Sequence, residues 1–463
     1  MPQRNVTIIF LTAVVSVVCY QKAIRNRFAG ALAEALGQIS RYYVEPVDDR
    51  RLFEGAMQGM VQQLDPYSAY IGPQELSEFQ ETLEQQFGGV GIIVEINPQT
   101  QRLTVLSPLV GTPAYEAGMR AGDTVLAIDG ESTEGFSLED AVRRMRGPPD
   151  TPVRLEIMHK GEQQSIQLTL TRAIIHVDSV LGDTHNPDGS WSYVLEQDLR
   201  IGYIRIINFG DATAGELRRT LGDLAGRVEA VILDLRGNAG GLLTAAVETS
   251  DMFLEGGAIV STRGRSHHRG KQYSAQTGNE VLPADLPLAI LVDRYTASAS
   301  EILTACLQDH GRAVVVGQRT WGKGTVQNVL SLESGNSALK LTTATYWRPS
   351  GTNIHRSRNA TEEDDWGVRP DPGFEVVLDD KEFARLMTYR RQRDFAADPV
   401  PPTPSTPAED PAAGADSLTI GPPDEPPPEA GAEPSEPGPL VDRQLQRAVE
   451  YLQQELIRRN KAA

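Results

Sequence analysis

The chain has 463 residues, a net charge of −18 and two cysteines, and it is too long for one ordinary core, so it calls for two or three domains. The acidic balance excludes nucleic acid as a partner, because a phosphate-binding protein needs a basic face. With Cys19 inside an apolar N-terminal run and Cys306 alone in the rest, no internal disulfide forms. His and Cys residues show no spacing typical of a metal site. The one tight pair, His267-His268, lies in a polar basic loop segment, and neither a metal nor a cofactor is expected.

Val6 to Tyr20 is nearly continuous in apolar and small residues, with Arg4 before it and Lys22, Arg25 and Arg27 after. At about 15 residues it has the length of an export signal core and is short for a full span. Residues 1–27 read as an export signal anchor, with a buried core helix as the bland reading and flanking charges that do not set orientation; the expectation is a protein on the extracytoplasmic, periplasmic side, held to the inner membrane. Residues 28–84 form a helical N-terminal region, since Ala31, Leu32, Ala35, Leu36 and Ile39 recur at helical spacing, as do Leu52, Ala56, Met57, Met60, Val61 and Leu64. The turn Asp65-Pro66-Tyr67-Ser68 breaks the pattern, and the region carries no evident chemistry.

The period then changes. Phe87-Gly88-Gly89-Val90-Gly91-Ile92-Ile93-Val94 is a glycine turn entering a β-branched strand, and Arg102 to Leu106 continues the sheet. A short helix closes at Gly118, and Ala121-Gly122-Asp123-Thr124-Val125-Leu126-Ala127-Ile128-Asp129-Gly130 is a turn, a strand and a second turn. A helix near Leu138 to Met145 and strands near Val153 to Met158 and Gln164 to Leu170 complete a module of about 85 residues. These residues resemble a PDZ domain, assigned to 85–173. The resemblance implies that the turn Gly88, Gly89, Val90, Gly91 and Ile92 holds a peptide's terminal carboxylate while the peptide adds a strand beside a helix. Ala141, Val142 and Met145 are then candidates for the groove wall. The bland reading is that the glycines only make a tight hairpin.

From Leu199 strand and helix alternate: Ile201 to Ile207, a helical pattern from Ala214 to Leu224, Val231 to Leu235, and a glycine turn Arg236-Gly237-Asn238-Ala239-Gly240-Gly241 before a helix through Leu242 to Phe253. Leu286 to Val292 leads to Thr296-Ala297-Ser298-Ala299-Ser300-Glu301-Ile302, and strands follow at Ala313 to Val316, Thr325 to Leu332 and Leu339 to Tyr346. This βα alternation predicts a layered α/β domain over 174–380, with functional groups where loops leave the strands. Residues 381–440 begin with a basic helical stretch and become, from about Ala396, a proline, alanine, glycine and acid tail with too few apolar residues for a core. Within 441–460, Leu445, Ala448, Val449, Leu452, Leu456 and Ile457 form a helical stripe expected to dock on this chain or a second copy, so a homo-oligomer through terminal helices is a candidate.

Ser298-Ala299-Ser300-Glu301 fits a helix-capping box, in which the serine caps and the glutamate returns a bond. The same turn can carry a nucleophile, because a helix N-terminus offers N–H donors and a positive field to an oxyanion. Serine needs a base to take its proton. Lys323, flanked by Gly322 and Gly324, can serve only if burial brings its pKa down toward neutrality; otherwise it is a solvated lysine in a glycine loop. On an extended strand 323, 325 and 327 point the same way, so Gln327 could fix the amine, with Thr325 as a further neighbour. Ala299 N–H and the turn Gly240-Gly241 are the candidate oxyanion donors.

Asp234 to Gly241, Ser298 to Ile302 and Gly322 to Gln327 together resemble the C-terminal processing (tail-specific) serine peptidase family, including the order of a PDZ module before the peptidase. The resemblance implies an α/β Clp protease/crotonase-like core and cleavage of proteins recognised by their free C-terminal ends, with Ser298 as nucleophile, Lys323 as general base and Gln327 as its orienter. His159 stands where members often carry an arginine, and the proline-rich insert departs from the pattern. Two other readings stay open: a catalytically silent PDZ scaffold for protein tails, and a serine hydrolase whose base is His310 or His355.

Overall fold

The computed structural model describes residue 5 and residues 9–16, 27–265, 270–395 and 441–462. His267-His268, the proline-rich tail and most of the signal-anchor segment lie outside them. Among the described residues no helix is long and apolar enough to cross a membrane. The chain forms two compact units, one of residues 1–76 with 327–342 and one of residues 77–326 with 343–463.

The first unit carries α1 (Arg27–Tyr42) and α2 (Asp49–Val61). Asp48 caps α2 by accepting the N–H groups of Arg50 and Arg51. In the turn that follows, Asp65 accepts the N–H groups of Tyr67 and Ser68 at 2.8 and 2.9 Å. The region is not purely helical: β1 (Ala69–Ile71) pairs antiparallel with residues 338–340. A three-residue strand has no period of its own to read, and its partner lies some 270 positions away.

In the second unit, β2 (Ile92–Ile96), β3 (Leu103–Pro108), β4 (Thr124–Ile128), β5 (Pro152–Met158) and β6 (Ser165–Thr171) make an antiparallel sheet in that order. Val153, Leu155 and Ile157 are fully buried and alternate with Arg154 and Glu156, the period expected of a half-covered sheet. Helix α3 (Leu138–Met145) is capped by Ser137 and lends Ala141 and Met145 to this core.

A second sheet of this unit runs β7 (Val180–Leu181), β8 (Ile201–Ile206), β9 (Ala230–Asp234), β10 (Leu288–Val292) and β11 (Val314–Gly317). Only β7 is antiparallel. Every residue of β9 and β10 is buried, because both faces are covered, which is why these strands read as unbroken apolar runs. One face packs on α4 (Thr213–Leu224), α5 (Leu243–Asp251) and α6 (Ala299–Asp309) through Leu217, Leu221, Ala246, Ile302 and Leu303. The other meets α8 (Arg443–Ala462), whose Leu445, Ala448, Val449, Leu452 and Leu456 close over Tyr203, Ile232 and Leu291. The stripe of the last helix is thus used on its own chain through these five residues, while Ile457 stays exposed. Before α8, α7 (Asp380–Asp394) starts from a full capping box of Asp379 and Glu382.

Candidate active site

Ser298 sits where β10 gives way to α6, at φ +55° and ψ −114°. A serine that only capped a helix would take an extended backbone, whereas this one holds a strained conformation of the sort kept at functional turns. The residue is 7 % exposed. Its N–H donates to Glu301 Oε2 at 2.8 Å.

Glu301 is the residue that sequence reasoning undervalued. Read as a cap partner, it is in fact completely buried and accepts four hydrogen bonds. Oε1 takes the Thr320 hydroxyl and Gly322 N–H, while Oε2 takes the N–H groups of Ser298 and Lys323, each at 2.8 Å. One carboxylate oxygen therefore joins the serine turn to the lysine loop. Trp321 N–H adds a bond to Thr296 O at 2.9 Å. Burial pushes the Glu301 carboxyl up from 4.5 to about 6, against these donors, which favour the ionised form. The S-x-x-E spacing was the available signal; only the fold shows that the glutamate reaches a second loop.

Lys323 is half-buried and precedes the strand Thr325–Leu332, so alternation along a strand does not set its direction. The glycines beside it are required by close approach. Gly322 has φ +85°, and a Cβ there would lie 2.8 Å from Arg356 Cβ, while one on Gly324 would lie 2.2 Å from His355 N. Tyr346 N–H donates to Gly324 O at 2.8 Å. Thr325 is buried at the start of the strand. Gln327 belongs to the first unit, where its amide nitrogen donates to Thr342 Oγ1 at 3.2 Å and the Thr342 hydroxyl donates to Asp65 Oδ1 at 3.1 Å. The Asp65 turn is thereby linked to a candidate site residue.

The turn after β9 packs directly on the serine. A Cβ on Gly240, at φ +102°, would stand 2.8 Å from Ser298 Cβ and 2.9 Å from Ala299 N. Ala297 N–H and the Ser300 hydroxyl both donate to Asn238 O, and Asn238 Nδ2 donates to Ile206 O at 2.6 Å. Gly240 N–H is taken by Asn238 Oδ1 at 2.8 Å, which corrects its place among the donors: Gly240 supplies the close approach. Among the described residues, the N–H groups of Gly241 and Ala299 make no hydrogen bond, and these two remain available.

His310 lies at the far end of α6, with its Nε2 against Ala258 O at 2.7 Å. That helix has 11 residues, so His310 is separated from Ser298 by about 16 Å of helix. His355 contributes its backbone to the packing around Gly324.

In the antiparallel module, Phe87, Gly89, Val90, Gly91 and Ile92 line a groove of about 50 Å³ with Leu138, Val142 and Met145. Two residues expected at the groove lie elsewhere. Ala141 is fully buried and belongs to the core. Gly88 sits in the strand Gln86–Gly89, paired with Ile174, where a Cβ would stand 2.0 Å from Gly147 O. Strand β2 pairs only with β3, so its other edge is open among the described strands. His159 bonds Asp123 at 2.9 Å within the module.

Peptidase family S41 matches residues 200–372, the PDZ domain matches 104–158, and the family described as Activating protease CtpB N-terminal domain matches 21–74. A carboxy-terminal-processing protease of Bartonella bacilliformis is 34 % identical over 389 residues, 81 % of this chain and 83 % of that protein. A carboxyl-terminal-processing protease of Synechocystis sp. is 37 % identical over 342 residues, 73 % of this chain and 74 % of that protein. The solved photosystem II D1 C-terminal processing protease is 29 % identical, covering 74 % of this chain and 92 % of that one, at a TM-score of 0.41. The chain belongs to peptidase family S41 and is a serine peptidase of the C-terminal-processing kind, with a Clp protease/crotonase-like α/β core and a PDZ domain.

Proposed function

We propose that the chain is an endopeptidase that cleaves proteins recognised by their C-terminal ends, using a Ser298–Lys323 dyad. The observation that carries the reading is the shared Glu301 oxygen, which holds the backbone nitrogens of Ser298 and Lys323 within two hydrogen-bond lengths of each other. Neutral Lys323 takes the Ser298 proton as Oγ attacks the scissile carbonyl, and the oxyanion falls to the N–H groups of Ala299 and Gly241. Lys323 then protonates the leaving amine. Water, deprotonated by the same lysine, cleaves the acyl ester and restores the serine. No metal or cofactor enters these steps.

The PDZ groove takes the substrate's end. Among the described residues the Val90 and Gly91 N–H groups have no internal acceptor, so they suit a terminal carboxylate, and the open edge of β2 suits an added strand. The apolar N-terminal segment would hold the enzyme to the inner membrane on its periplasmic side, testable by cell fractionation with that segment deleted.

The deciding assay compares a peptide bearing a free apolar C-terminus with its amidated copy, using wild type, Ser298→Ala and Lys323→Ala. Wild type should cut the free peptide, amidation should raise KM, and each substitution should lower kcat by more than about 10³-fold. Undiminished cleavage by Ser298→Ala would refute the mechanism, and undiminished cleavage by Lys323→Ala would point to a histidine base.

A further inference from the structure

Arg236, the residue that opens the turn packed on Ser298, is 2 % exposed in its side chain and held between two carboxylates. Asp234, at the end of its own strand, accepts from Nε at 2.9 Å and Nη2 at 2.6 Å. Asp442, from the far C-terminal part of the chain, accepts from Nη1 at 2.8 Å and Nη2 at 2.9 Å, and Gln444 Oε1 adds a bond to Nη1 at 3.2 Å. Asp442 Oδ1 also accepts Leu445 N–H at 3.0 Å, which starts α8, and Gln444 is anchored by donating to Val376 O. A second buried guanidinium, Arg390, lies 3.6 Å from Asp442 and 3.7 Å from Asp234. Arg390 also lies 3.7 Å from the buried Asp183, so the cluster extends to a third carboxylate.

The cluster is connected to the chemistry through backbone. Gly237, next after Arg236, donates its N–H to Asp293 Oδ1 and Oδ2 at 3.1 and 3.0 Å, and the turn continues through Asn238 to Gly240, against Ser298. Arg236, Gly237 and Arg390 also border a cavity of about 280 Å³. An Arg236 freed from one carboxylate therefore has space into which its side chain and the adjoining turn can shift. A planar guanidinium paired bidentately on two edges is fixed in direction, whereas one paired on a single edge can pivot.

We propose that Asp442 is a positioning residue for the peptidase: through Arg236 it sets the turn 237–241 that faces the nucleophile. The inference rests on the Ser298 reading above.

The test uses full-length variants Asp442→Asn, Asp442→Glu and Leu456→Ala, with Ser298→Ala alongside, read by kcat and KM on the free peptide, by fluorophosphonate labelling of Ser298 and by Tm. Leu456 is buried on the same helix but is not among the partners of Arg236. Asp442→Asn should lower kcat and labelling rate by about tenfold to a hundredfold with KM within about twofold, and Asp442→Glu should recover part of the loss. Leu456→Ala should lower Tm at least as far while kcat stays near wild type. Wild-type kcat in Asp442→Asn while Ser298→Ala is dead, or a kcat loss in Leu456→Ala that matches its Tm loss, overturns the inference alone. Activity in Ser298→Ala overturns the reading beneath it as well.

Discussion

The second unit contains two glycine turns that the sequence offers for the same purpose, holding an anion on backbone N–H groups, and the fold treats them differently. In the PDZ turn the carbonyls are engaged, Val90 O by Ala114 N–H and Gly91 O by Leu109 N–H, so the turn is rigid with donors to spare. In the peptidase turn one donor, Gly240 N–H, is spent on Asn238 and the glycine's service is to let Ser298 come close. The comparison teaches that a glycine's value depends on whether its N–H or its missing side chain is used. Neither can be told from the letter G.

The largest effect that tests this difference comes from Gly240→Ala. The added Cβ meets Ser298 Cβ and Ala297 O inside 2.9 Å at a φ that side chains resist, so kcat should fall by about a hundredfold or more, and a kcat near wild type would show that the turn can retreat without cost. A second test concerns the carboxylate that joins the peptidase loops. Glu301 has a folded pKa of about 6 against an ordinary 4.5, so the folded state binds more protons between those values. Its contribution to stability is fully present below 4.5 and lost as pH rises through 6. At about 1.4 kcal/mol per pH unit, wild type should lose about 2 kcal/mol relative to Glu301→Gln between pH 4.5 and 7, read by denaturant unfolding; a constant difference would mean that the carboxyl is not displaced. Activity runs the opposite way, because the ionised form is the one that accepts all four donors. The smallest effect is Gly91→Ala. Its Cβ would lie 2.3 Å from Thr112 Cβ, which should raise KM about tenfold for free C-terminal peptides with kcat little changed. An equal fall in kcat for both glycine variants would erase the distinction.

Much of the scaffold was legible because its causes are local. Unbroken apolar runs at 231–235 and 286–292 announce strands covered on both faces, and alternation at 153–157 announces a half-covered one. The stripe from Leu445 to Leu456 shows that the last helix must bury a face. The short strand Ala69–Ile71 was not legible, since only its distant partner makes it a strand. Ala141 and Val142 show the same limit on one helix: both are apolar, yet the first is core and the second lines the groove.

Sequence alone determined the candidates: a serine at a helix start, a lysine between glycines and a glycine turn after an apolar strand, each recognisable because its chemistry needs those residue types. The local pattern left Ser298 divided between cap and nucleophile, since capping and catalysis ask for the same residue in the same place, and the family resemblance assigned it the nucleophile's role. Tertiary structure decided what depends on distance: the strained backbone of Ser298, the Glu301 oxygen shared with Lys323, the loss of the Gly240 donor and the grip of Asp442 on Arg236. Of these, the Lys323–Glu301 and Arg236–Asp442 contacts join residues 22 and 206 positions apart, and hydrogen bonds across such separations follow from how the layers pack, which no local pattern encodes.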